Sequence, residues 1–529
     1  MLLRKEIIVL SVFITGLLLI IFSWYKSYPI GVDSPFDFLP NHISPFFWIG
    51  VSVVCAALYI TAMLSKKNSL KLIATIGIIL FLFSSAYFFW YMPGVDSQYF
   101  RGLTEYFNET GDLNFQSSYH SYYQWPIFFV FSKIAFTLGL NPRFFEFILF
   151  GLFSFIYGVS LYSVFQKSSK DGAFLAVVSY FIIIWWYLDY QFVPFALGFG
   201  FLLILFMLDS FENKKTATTL TMLIIFAGIT LIHSFVPLFF VSYVFIKYIL
   251  GRERKYLNFF LITLLIYFIV LMFRAEIFFK MGIEDVLGLS SYTSVSFIGN
   301  VIVSASTPLD EFAQMISRAV FIVTALVAGS GFVILLLKRK LGKTNITFLL
   351  SGMIFFLIGF VALPILGTRA LQILVIPLSL GVVYLQETKF KRYFQVLFLI
   401  LLILFICTPL HSSFNSTAKQ ITYQTEANHQ CADFLLYYYR PNEISLMGTD
   451  VRTGWYIAPK LSIANVTLGN SLYSFFVYDP DNYSCILYTV GLEKAFINQN
   501  YTAASAFHEM NEYSVFYSSG SSQILVSSG

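Results

Sequence analysis

Charge is scarce in this chain. Asp, Glu, Lys and Arg together make up 12% of its 529 residues, against 58% hydrophobic. Ordinary soluble domains carry about one quarter charged residues, so a water-soluble globular protein is excluded and a polytopic membrane protein is implied. Cysteine is scarcer still, with four residues and no metal-ligand signature. Cys55 and Cys407 fall in apolar runs, whereas Cys431 and Cys485 fall in a polar C-terminal region, where an external location would allow a disulfide between them. There is no concentrated basic patch either. The net charge of +5 is spread over short clusters between apolar runs, which speaks against nucleic acid as a partner and for the positive-inside pattern of membrane proteins. What the chain has in abundance is aromatic residues, 62 Phe and 34 Tyr, a class enriched at membrane interfaces.

A helix needs roughly 20 apolar residues to cross a bilayer. About 13 segments qualify, near 6–24, 46–64, 71–91, 143–165, 172–188, 194–210, 217–232, 235–250, 256–273, 316–337, 345–364, 370–386 and 393–410. The pair 217–250 also reads as one hairpin bent at His233. The first segment has no small-residue cleavage site and is soon followed by a second, so it reads as a retained signal anchor. With a cytoplasmic N-terminus, the inside loops become "SKKNSLK", "QKSSKDG", "ENKKT", "GRERK", "KRKLGK" and "ETKFKR", each rich in Lys or Arg. The outside loops are poorer in Lys and richer in acids and proline. The expected fold is therefore all-α and polytopic, residues 1–410, in a cell membrane. A small extracytoplasmic α/β domain over 411–529 follows, with helix-like "EANHQCADFLLYYYR" and strand-like "ISLMG" and "QILVSSG". Its four N-x-S/T triplets, at Asn415, Asn465, Asn482 and Asn500, suit an outside location.

Two external loops share the phrase GVDS. The first copy, around Asp33, is followed by Pro35, Pro40 and Pro45, which prevent a long helix. The second, in the loop 92–125, continues as "DSQYFRGLTEYFNETGDL". Its spacing predicts a helix over 96–109 lying along the interface. Tyr99, Leu103 and Phe107 form an apolar stripe, Arg101 and Glu105 are placed to pair, and Gly111 is placed to end the helix. Asp96 sits at the start, where the helix dipole favours an anion. Capping is a sufficient reason for an acid there.

This loop resembles the first external loop of the catalytic subunit of oligosaccharyltransferase, and "YYQWPIFFVFSKI" (122–134) resembles the Tyr/Trp-Pro entrance to its next helices. The wider group is the C-type superfamily of polytopic glycosyltransferases, which use polyprenyl-phosphate-linked sugars, dolichol-linked ones among them, outside the cytoplasm. The resemblance implies that Asp96 is the key catalytic acid, with Arg101 and Glu105 on the donor-binding helix. "YLDYQFVPFALGFGFLLILF" stands in the place of the second external loop and assigns Asp189 and Gln191 to the site. "GTRALQILVIPLSLGVVY" is similar to a late helix of archaeal members and points Arg369 at the lipid phosphate. "LIHSFVPLFF" puts His233 at an outside helix end. The WWDYG acceptor motif is absent; "TGWYI" (453–457) does not replace it, so the resemblance does not extend to Asn-X-Ser/Thr recognition.

The chemistry suits those residue types. A carboxylate at the membrane surface can act as general base toward a hydroxyl. Asp96 with Asp189 can instead hold a divalent metal, Mg or Mn, that neutralises phosphate. Arginine offers a planar fork matched to phosphate oxygens. Each has a plainer reading: Arg369 as an interfacial anchor, Asp189 as an ordinary loop acid, His233 as a packing residue. The expected partners are a polyprenyl-phosphate-linked sugar, a glycan, lipid or protein acceptor, and membrane lipids. The alternative is a lipid-linked sugar flippase or transporter, which would place charges along a path inside the spans.

Overall fold

A computed structural model of the chain describes residues 2–27, 43–82, 84, 95–111, 113, 122–169, 172–184, 193–211, 216–274, 308–338, 342–361, 364–385, 388, 390–407, 426–438, 447–449, 456–457, 460, 485–488, 513–519 and 522–527. Each expected apolar segment contains a described helix, although the ends of several segments, 85–91 and 185–188 among them, lie outside the described residues. In chain order the helices are α1 (Leu2–Ser27), α2 (Pro45–Leu64), α3 (Asn68–Leu82), α4 (Val95–Thr110), α5 (Ile127–Thr137), α6 (Pro142–Gln166), α7 (Ala173–Ile184) and α8 (Pro194–Ser210). They continue with α9 (Thr216–Thr230), α10 (Val236–Gly251), α11 (Arg254–Arg274), α12 (Pro308–Leu337), α13 (Lys343–Val361), α14 (Pro364–Leu385), α15 (Lys391–Cys407) and α16 (Glu426–Tyr438). Proline marks several starts, where its missing N–H costs nothing: Pro45 follows the Ser44 cap, and Pro194 opens α8.

Among the described residues, five stretches are long and apolar enough to cross a bilayer: Ile7–Lys26, Pro45–Leu64, Phe144–Gln166, Arg254–Arg274 and Arg318–Leu337. Shorter apolar helices stand among them. The peripheral α1, α11 and α12 expose large side chains such as Leu18, Phe273 and Leu326. An apolar surface of that extent is stable against lipid rather than water. The protein is built as a membrane protein.

The centre of the bundle is α7, in which every residue is buried. A helix that is apolar all round belongs in an interior. Tyr180 on it donates to the carbonyl of Gln372 on α14 at 3.0 Å, so even its hydroxyl is satisfied inside the protein. Helices α12 and α14 cross where glycine faces glycine. A Cβ at Gly331 would lie 2.1 Å from the Gly381 carbonyl oxygen, and one at Gly381 would lie 2.0 Å from that of Ala328. Such close approach supplies the packing that holds helices together when lipid removes the hydrophobic drive.

The structure departs from expectation in four places. α4 forms over the expected residues and ends at Gly111, whose φ is +71°. It does not rest on the headgroups, however, because Tyr99, Leu103 and Phe107 are buried against protein. The cover includes α5, an 11-residue helix that falls short of the span criterion and went unpredicted. α12 begins at Pro308, ahead of the expected segment start at 316. α14 begins at Pro364, so Arg369 lies in its second turn instead of ahead of it.

Beyond α15, four short strands follow α16: β1 (Met447–Thr449), β2 (Cys485–Tyr488), β3 (Tyr513–Ser519) and β4 (Ser522–Ser527). They form a sheet in the order β1-β2-β4-β3, with β1 and β2 parallel and the other pairs antiparallel. α16 packs on β3 and β4. Cys431 is buried on α16 and Cys485 opens β2; the Cys485 side chain lies outside the described residues, and the expected disulfide with it.

Candidate functional site

The resemblance centres on α4, and α4 is held by two clamps. The first is a dry ion pair. Arg101, 1% exposed, donates through Nε to Glu146 Oε1 at 2.5 Å and through Nη2 to Glu146 Oε2 at 2.6 Å. Its Nη1 donates to Gln98 Oε1, one turn back on α4. Glu146 stands in the second turn of α6 and is equally buried. A two-pronged pair of this kind fixes direction as well as distance. The fork of Arg101 is taken up by Glu146 and Gln98, so Arg101 positions α4.

The second clamp involves Glu105. It accepts from Tyr456 Oη at 2.7 Å and pairs with Lys460 Nζ at 2.6 Å. Glu105 is therefore engaged from the C-terminal segment, and both members of the expected Arg101–Glu105 pair have strong partners off the helix. Asp433 Oδ1 lies 2.8 Å from the same Tyr456 hydroxyl, so the two carboxylates share its one proton, and Lys460 lies 3.7 Å from Glu109. Burial alone would weaken the Lys460 ammonium, but Glu105, then Asp433 and Glu109, outweigh it and raise its pKa above the ordinary lysine value. Burial, followed by Glu105 and Asp433, pushes the Tyr456 phenol well up. The approach is close: a Cβ on Gly102 would sit 2.3 Å from the Tyr456 carbonyl oxygen. Glycine is required there.

Aromatic rings fill the space between α4 and α5. Phe100 meets Tyr122 edge-on at 4.8 Å, Tyr123 meets Phe129 at 4.9 Å, and Tyr123 Oη donates to the Leu103 carbonyl at 2.6 Å. Within this dry layer the Gln124 amide is fully buried and has no hydrogen-bond partner among the described residues. An unsatisfied buried amide costs about 1–3 kcal/mol, which marks the layer as a place where a polar ligand or water would gain.

A third group gathers around Phe195, at the start of α8. The Arg369 guanidinium lies 4.1 Å over its ring, and the His233 ring meets it edge-on at 5.4 Å. His233 sits in the turn between α9 and α10, as the hairpin reading expected. Its Nδ1 accepts from the N–H of Phe235 at 3.1 Å, so the neutral ring carries its proton on Nε2. Burial, and then the Arg369 charge, lower its pKa to about 3. His233 is thus neutral at physiological pH. The turn is tied to the first-loop unit, because Ile127 donates its N–H to the Leu231 carbonyl at 3.2 Å.

Of the predicted residues, the structure brings Arg369 and His233 together and gives Arg101 and Glu105 to separate clamps. Asp96 lies in the first turn of α4, with its side chain outside the described residues. Asp189 and Gln191 lie outside them altogether. Among the described residues no group of three His, Cys, Asp or Glu could hold a metal.

Sequence reasoning missed Glu146, Tyr456 and Lys460. For Glu146 a signal existed: an acid in the opening turns of an apolar helix, where a buried charge demands a cation. It also missed the opposite end of the bundle. Asp209, at the end of α8, accepts from Tyr243 Oη at 2.8 Å and from the Lys247 ammonium on α10. Asp209 and Lys247 thus pair near the ends of the expected spans 194–210 and 235–250. Compared with known protein families and with curated proteins, the chain matches none.

Proposed function

We propose that the protein is an integral-membrane glycosyltransferase of the C-type fold. It moves a sugar or glycan from a polyprenyl-phosphate donor to an acceptor on the external face. The observation that carries this reading is the setting of α4: Asp96 stands in the first turn of a helix that an ion pair and the Tyr456–Lys460 segment hold rigidly. Glu146, Phe195, His233 and Arg369 all stand near the N-terminal ends of α6, α8, α10 and α14, at the end of the bundle to which α4 is attached. The reading includes about 13 spans, a cytoplasmic N-terminus, and a C-terminal α/β domain outside.

Asp96 takes the proton of an acceptor hydroxyl. The freed oxygen attacks the anomeric carbon, and the bond from that carbon to the donor phosphate breaks. The electron pair leaves with the phosphate, whose growing charge faces the Arg369 guanidinium. His233, neutral, supplies a polar edge beside that charge. Asp189 and Gln191 belong to the same site in this reading. A divalent ion on Asp96 and Asp189 would add neutralisation of the phosphate.

The test is sugar transfer from labelled polyprenyl-phosphate sugars in membranes, wild type against Asp96→Asn. Loss of transfer with unchanged thermal stability supports the reading. Equal transfer makes Asp96 a helix cap, and no transfer by wild type from any donor moves the flippase ahead.

A further inference from the structure

The end of the bundle away from Arg369 contains a cavity of about 930 Å³. That is ample for a small-molecule site, which typically occupies about 300–1,000 Å³. Its position is fixed by helix ends: the last residues of α8 and α10, the first turns of α11 and α13, and the inner end of α14. Asp209 is 14 residues from Phe195 along α8, or about 21 Å at 1.5 Å per residue, so this is a separate place and not an extension of the site above.

Its polar lining is cationic. Lys167, Lys247 and Lys255 face it, with Asp209 as the one carboxylate among the described lining residues. Asp209 is satisfied twice from its inner side, by Tyr243 and by Lys247. An ammonium has three donors, so Lys247 keeps capacity beyond that bond. It is held in place between the rings of Tyr256 at 4.6 Å and Tyr243 at 5.7 Å. Lys255 pairs with Glu253, but both are largely exposed, so that pair exchanges readily with an incoming anion. Lys167 is exposed, with its ammonium 5.8 Å from the Phe211 ring. A fourth cation, Lys338, donates to the hydroxyl of Tyr384, itself a lining residue. The dipoles of the helix ends do not decide the sign of the field here, since N-termini and C-termini both reach the cavity. The side chains do.

The other wall is apolar, with Met222, Phe259, Leu380 and Val383. Cations at a rim and hydrocarbon beneath match a molecule with the same division. We propose that this cavity binds the phosphate headgroup of an anionic lipid, with the chain of that lipid along the apolar wall. The site is independent of the transfer reaction and stands whether or not that reading holds.

The experiment uses the purified full chain in phosphatidylcholine nanodiscs, titrated with phosphatidic acid and read by native mass spectrometry. The double variant Lys167→Gln/Lys255→Gln leaves the Asp209–Lys247 pair intact. At about 1 kcal/mol per lysine near a charged lipid, two lysines correspond to roughly a thirtyfold loss of affinity. The matched control is Lys391→Gln/Arg392→Gln, basic residues of a neighbouring helix start outside the cavity, which should leave affinity unchanged. Inorganic phosphate at millimolar concentration distinguishes the source: failure to compete assigns the site to the lipid, and full competition assigns it to a free phosphate and overturns the lipid proposal. Equal affinity of wild type and cavity variant, or equal loss in the control, overturns it as well. Should the double variant lose thermal stability, Lys255→Gln alone, at a largely exposed residue, is expected to lose about fivefold.

Discussion

At one end of α8, α10 and α14 stand Phe195, His233 and Arg369; at the other end of the same helices stand Asp209, Lys247 and Tyr384. The first end holds the more deeply buried charge pair. That pair, Arg101–Glu146, is 1% exposed on both sides, and the histidine of this end is kept neutral. The second end is open. Its pair leaves Lys247 at 18% exposure, and around it lie cations on a cavity. The difference shows two uses of charge in one bundle. A fully desolvated pair is spent on fixing a helix, because neither partner can leave the other without stranding a buried ion. A pair at a wet rim keeps its cation available for exchange.

The sharpest way to break the comparison is Asp96→Asn. If the first end is the catalytic one, transfer falls by about 100- to 10,000-fold, the range for loss of a general base. The lipid affinity of the opposite cavity stays unchanged. Transfer assays and nanodisc titrations on one preparation check both halves.

Next comes stability. Glu146→Gln strands Arg101 in a dry site and should cost about 3–5 kcal/mol, whereas Asp209→Asn at the wetter end should cost visibly less. Thermal unfolding in the same detergent ranks the two. The reverse order would mean that the Arg101 layer is hydrated.

A smaller effect is expected at the second clamp. Lys460→Met removes the cation that Glu105 faces and should loosen the C-terminal segment from α4 by about 1–3 kcal/mol. Limited proteolysis between α15 and β4 should then be faster, with the bundle itself unchanged.

The smallest effect is a pH slope. His233 has an ordinary value of 6.5 and a folded value of about 3. Below pH 6.5 the unfolded chain takes up a proton that the folded chain refuses. Stability from this source is complete above that pH and is lost as pH falls toward 3. At pH 5 the loss is on the order of 1–2 kcal/mol, and His233→Gln should abolish that part of the slope in unfolding measurements.

How much of this was legible depended on the range of the signal. The apolar runs could be read because each is a local statement of length and hydropathy. The α4 helix and its Gly111 stop could be read because stripe spacing and a terminal glycine are local too. Burial of the stripe could not be, since Tyr122 and Tyr123 meet Tyr99 and Phe107 from just ahead of a helix too short to register as a span, and Lys133 on that helix lies over Phe107. Arg101 illustrates the same limit. The sequence offers Glu105 four residues away, and the fold supplies Glu146, 45 residues away.

By itself, then, the sequence determined the membrane character, the helix segments, the basic loops and the helix that carries Asp96 in its first turn. Each follows from residues within one turn or one span of each other. Only the tertiary structure decided that Arg101 is a strut, that Lys460 closes on Glu105, that Arg369 shares Phe195 with His233, and that Lys167, Lys247 and Lys255 line one cavity. Those are choices among charges and rings far apart in the chain. In a low-dielectric interior the decisive quantity is which oppositely charged group arrives within hydrogen-bond distance, and that is settled by packing.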